Sequence, residues 1–108
     1  MTFKTGSVGW TVAALIAGHL EQQAELLESA FQQRKATSDE EFVLIMTCAF
    51  DHWNIDPLNP PPGVRTGDFL LNWRRGIHLP SDKTRREVLE WIACNLRKRA
   101  SEIRATAG

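Results

Sequence analysis

The stretch WTVAALIAGHLEQQAELLESAF, residues 10–31, decides the fold class. Trp10, Ala13, Ala17, Leu20, Ala24, Leu27 and Phe31 recur at spacings of 3, 4, 3, 4, 3 and 4, the heptad seam of a helix packed lengthwise on another helix. Alanines at alternate seam positions allow close approach, while Gln22, Gln23, Glu25, Glu28, Gln32 and Gln33 turn to water. The pattern predicts a helix over residues 7–35. A seam of this kind serves packing inside the subunit or association outside it. Its seven residues are therefore the candidate partner-binding set, for a second copy of the chain or for another protein.

Downstream, Ser38 followed by Asp39, Glu40 and Glu41 reads as a capping box, the Ser38 hydroxyl accepting from the Glu41 amide. Phe42, Ile45, Met46, Ala49, Phe50 and Trp53 then form the apolar stripe of a helix over 39–54. Residues 56–62, DPLNPPP, cannot continue it, because proline removes amide donors and forces the preceding residue out of the helical region. This is a stiff connection, and its alternative use is as a proline-rich ligand for an aromatic groove. Thr66 is placed to cap a short helix over 67–75, with Leu70 and Trp73 on one side and Gly76 as its left-handed stop. Ser81 caps the last helix, 82–104, whose stripe is Val88, Leu89, Ile92, Leu96, Ala100 and Ile103.

These readings give an all-α domain of four helices spanning the chain, with a core around Trp53, Trp73 and Trp91. A chain of 108 residues with 43% hydrophobic residues builds such a core without staples. Cys48 and Cys94 lie in helical patterns rather than a metal spacing, which points to a reducing cytoplasm. The uncharged stretch 5–20 is shorter than the about 20 residues a spanning helix needs, and no membrane association is expected.

Thirteen basic and thirteen acidic residues cancel, but their distribution does not. Residues 1–54 carry three basic and seven acidic side chains, or −4, and residues 55–108 carry ten and six, or +4. Either the C-terminal half presents a basic face to a partner, or the two halves attract each other within the fold. His19, His52 and His78 fall on separate segments, and no phosphate loop, nucleophile constellation or ligand spacing accompanies them. Neither an enzyme, a metal site nor a cofactor is expected.

The segment GVRTGDFLLNWRRG, residues 63–76, followed by Leu79, Pro80, Ser81 and the basic helix, resembles the second half of a helix-turn-helix in the Xre/MbcA/ParS-like antitoxin group. Residues 50–55, FDHWNI, are similar to the end of the helix that precedes that motif. The resemblance spans about residues 39–100 and implies a helix-turn-helix-like second half binding double-stranded DNA. Arg65, Thr66, Asp68, Asn72 and Arg75 would then face a major groove, and Arg74, Lys83, Arg85 and Arg86 would contact phosphates. The prolines of 56–62 occupy the place of the motif's first helix, and the family's toxin-binding domain is expected to be missing. The expected function is that of a small, dimeric, non-enzymatic transcriptional regulator. The alternative is a helical adaptor whose motif no longer touches DNA.

Overall fold

The computed structural model describes residues 5–32, 37–57, 59–61 and 63–107, with the backbone alone at 5–11, 30–32 and 107. Among these the chain is all helical: α1 (Thr5–Gln32), α2 (Asp39–Asp51), α3 (Gly67–Arg74) and α4 (Asp82–Ala107). The four expected helices are present; α2 closes three residues early and α4 runs three residues further. The expected end of the first helix, at 33–35, lies outside the described residues.

α1 packs along α4. Glu28 pairs with Arg97 and Glu21 with Arg104, so seven residues back in α1 correspond to seven forward in α4 and the helices are antiparallel. Seam residues Ala17, Leu20, Ala24 and Leu27 are buried, alongside Ala93, Leu96 and Ala100 of α4 in one core. The partner-binding assignment of these four is corrected accordingly: they are spent inside the subunit. A heptad spacing fits a cis and a trans helix equally, and here α4 takes the position. Ala13 is half-buried, and the side chains of Trp10 and Phe31 lie outside the described residues.

The second layer joins α2 to α3. Ser38 accepts from the Glu41 amide at 3.2 Å as the capping box requires, and Phe42, Met46 and Ala49 point inward. α3 sets Leu70 and Trp73 into the core, and Trp73 donates Nε1–H to the His78 carbonyl at 3.0 Å. Its end is a Schellman turn: Gly76 sits at φ 77°, its N–H reaches Trp73 O, and the Ile77 N–H reaches Asn72 O. Of the three expected core tryptophans only Trp73 is buried. Trp53, two residues past the end of α2, and Trp91 of α4 pack half-buried against the edge of the core.

The connection over 52–66 lies against the core through Ile55, Pro61 and Val64. Pro61 is fully buried, which makes the proline run a structural strap and withdraws that residue from any aromatic groove. Thr66 occupies the N-cap of α3, yet its side chain makes no capping hydrogen bond. The tight element is its neighbour Gly67. A Cβ there would lie 2.3 Å from the Pro57 carbonyl oxygen, whereas one on Gly63 would meet only the Glu87 carboxylate, at 2.4 Å. Backbone cannot swing aside as a glutamate can. Gly67→Ala is expected to cost about 1–3 kcal/mol and Gly63→Ala far less, as read from urea midpoints. Equal midpoints for the two variants would show that the strap does not press on α3.

Candidate nucleic-acid interface

Among the described residues four ion pairs join the acidic first half to the basic second half: Glu21 with Arg104, Glu28 with Arg97, Asp39 with Arg85 and Asp51 with Arg74. The hydrogen bond that Arg97 donates to the Glu28 carboxylate, with the charges of Glu28, Glu25 and Glu21 adding to it, raises the Arg97 guanidinium above its ordinary value. The charge asymmetry is thus largely consumed within the fold. Among the described residues Arg65, Arg75, Lys83, Lys98 and Arg99 form no ion pair, and all five are exposed.

The expected interface residues therefore separate into two groups. Arg65, Thr66, Asp68 and Arg75 are exposed along α3 and its approach, Asn72 is half-buried between them, and Lys83 is exposed at the start of α4. Arg74 bonds Asp51 at 2.7 Å and fastens α3 to α2. Arg86 pairs with Asp82 one turn back at 3.2 Å. Arg85 is a correction: its side chain is only 13% exposed and donates to the Thr37 and Pro80 carbonyls and to Asp39. Three of its five N–H donors are spent within the fold, and its burial withdraws the group from a phosphate on the surface.

Arg65 is brought to a cleft of about 290 Å³ between α3 and the start of α4, which it lines with Phe69, Trp73, Pro80, Ser81 and Thr84. Ser81, expected only as a helix cap, and Thr84, which no sequence pattern singled out, bring hydroxyls 3.5 Å apart to this cleft. The signal available for them was two hydroxyls beside Lys83 at a helix N-terminus. A larger groove of about 630 Å³ is lined by Pro61, Gly63, Glu87, Glu90, Trp91 and Cys94, and its two carboxylates make it unsuited to a polyanion.

The connections differ from the expected helix-turn-helix-like arrangement, in which a turn of about 3–4 residues joins the two helices. Here the fifteen residues 52–66, non-helical wherever described, separate α2 from α3, and the seven residues 75–81 separate α3 from α4. The physical cause is the strap, whose prolines cannot form the motif's first helix. α3 is a single short helix clamped by α2 and by its own Trp73, with its polar face outward.

Cys48 is half-buried and Cys94 exposed, both as free thiols. Among the described residues no group of three or more His, Cys, Asp or Glu is placed to hold a metal ion, and no helix is long and apolar enough to cross a membrane. Compared with protein-family models, with characterised proteins and with solved structures, the chain matches none.

Proposed function

We propose that the protein is a small, non-enzymatic, cytoplasmic DNA-binding regulator, of the kind found in toxin–antitoxin or mobile-element systems, that lays α3 in a major groove. The observation that carries this reading is the two-sidedness of α3. Leu70, Trp73 and the Arg74–Asp51 bond fix it from within, while Arg65, Thr66, Asp68 and Arg75 stand free on the outside. A rigid support with unpaired donors is what base reading needs: arginine pairs with guanine, asparagine with adenine, and aspartate accepts from cytosine. Lys83 and the Ser81–Thr84 end of α4 supply the adjoining phosphate contact.

The test is a fluorescence-anisotropy titration of labelled genomic duplexes across a range of salt. Arg75→Ala is expected to lower affinity and relax base preference. Lys83→Ala is expected to weaken all duplexes alike and reduce the salt slope by about one unit. Wild-type binding in both variants, or no salt-dependent binding at all, rejects the assignment. A second reading, a protein-binding adaptor, is favoured by Phe69, Leu71 and Ile77, which are 45%, 38% and 42% exposed beside the same face. Salt-insensitive capture of a protein that is lost in Leu71→Asp, with no duplex bound, supports that reading instead.

A further inference from the structure

The groove of about 630 Å³ that is unsuited to a polyanion has the opposite chemistry built into it. Glu87, Glu90, Trp91 and Cys94 follow at i, i+3, i+4 and i+7, so one face of α4 supplies one wall. The strap supplies the other through Gly63 and through Pro61, which the core holds fixed. The walls are mostly apolar, and the volume falls within the about 300–1,000 Å³ of small-molecule sites. Gly63 lets the strap close on α4. A Cβ there would lie 2.4 Å from the Glu87 carboxylate, so this acid is seated directly against the strap backbone.

The two carboxylates of this groove are left without a counter-charge by the fold. Glu21, Glu28, Asp39, Asp51 and Asp82 each hold an arginine, whereas among the described residues Glu87 and Glu90 form no ion pair. No basic side chain among the described residues lines the groove, although α4 carries seven lysines and arginines. We infer that the groove binds a linear aliphatic diamine or polyamine, with one ammonium group on each carboxylate and the hydrocarbon between them on Trp91 and Pro61. Side chains three residues apart on a helix have Cβ atoms about 5–6 Å apart, a separation that a short diamine spans. A single ammonium would leave one carboxylate uncompensated. The Trp91 indole adds the aromatic face on which an alkylammonium is favoured over a hydrated ion. A hard divalent cation needs oxygen ligands on most sides, and here indole and proline occupy those directions. The inference does not rest on DNA binding.

Isothermal titration calorimetry of the full chain at low salt tests it, with putrescine, the four-carbon diamine, as the probe. Putrescine is expected to bind one to one, and butylamine about tenfold more weakly or worse, since a hydrogen bond to a charged group carries about that factor. Glu87→Gln and Glu90→Gln keep the shape and remove the charge. Each should bring putrescine down to the affinity of butylamine with unchanged helical circular dichroism. Trp91→Leu keeps an apolar wall without a π face and should weaken putrescine with both carboxylates in place. Glu102→Gln removes another α4 carboxylate that does not line this groove, and should bind like the wild type. The inference is overturned by an absence of heat with putrescine up to millimolar concentration, or by equal affinity for putrescine and butylamine. It is equally overturned if Glu102→Gln weakens binding as much as the groove variants do, or if magnesium at the same concentration displaces putrescine.

Discussion

Phe42→Ala is expected to remove about 3–5 kcal/mol of stability, a large share of the about 5–15 kcal/mol that holds a domain together. Phe42 has no exposed surface. Its ring meets Trp73 of α3 at 6.1 Å between centroids and 58° between planes, and the Arg85 guanidinium of α4 lies 5.5 Å over it. One side chain in the first turns of α2 thus touches both α3 and α4. Its truncation leaves a cavity that three helices would have to close together. Urea unfolding followed by tryptophan emission should show the midpoint falling with little change in slope. Phe42→Leu keeps most of the volume and should lose no more than about 1.5 kcal/mol. A loss below about 1 kcal/mol in the alanine variant would show that α2 and α3 are held by something other than this contact.

The parts of the fold legible in the sequence are those governed by local physics. The Ser38 cap, the Gly76 stop and the inward pair Leu70 and Trp73 each depend on residues within one or two turns, and all are formed as their patterns require. What the sequence does not reveal is choice among partners. The seam of α1 looks the same whether α4 or a second copy fills it, so the burial of Ala17, Leu20, Ala24 and Leu27 inside the subunit comes only from the structure.

Charge behaves likewise. Arg74, Arg85, Arg97 and Arg104 find their carboxylates at sequence separations of 23, 46, 69 and 83, and no pattern within a helix announces such pairs. The candidate interface was legible to the same degree. Residues 65–75 display the expected polar face because α3 is amphipathic, whereas Arg74, Lys83, Arg85 and Arg86, expected at phosphates, differ in the carboxylates they already hold, which no local pattern announces. Thr66 illustrates a local rule that fails: its position is that of a cap, but close passage of the Pro57 carbonyl beside Gly67 shapes this helix start.

Arg85 gives the clearest separation between a binding and a structural arginine. Its Nε donates to the Pro80 carbonyl at 2.9 Å, Nη1 to the Thr37 carbonyl at 2.7 Å and Nη2 to the Asp39 carboxylate at 2.7 Å. One planar fork therefore ties the chain before α2 to the chain before α4 and covers Phe42 as it does so. Removing it leaves two part-buried carbonyls without a charged donor, and Arg85→Ala is expected to cost about 2–4 kcal/mol. Lysine keeps the charge but offers a single ammonium where three directed donors are needed, so Arg85→Lys should recover less than half of that loss. Hydrogen exchange should localise the effect, the amides of the first α2 turn opening faster in both variants than in the wild type. Arg75→Ala, at an exposed position without an ion pair, should stay within about 0.5 kcal/mol of the wild type. If Arg85→Ala instead unfolds at the wild-type midpoint while duplex binding disappears, its three hydrogen bonds contribute nothing to the fold and Arg85 returns to the interface from which the geometry removes it.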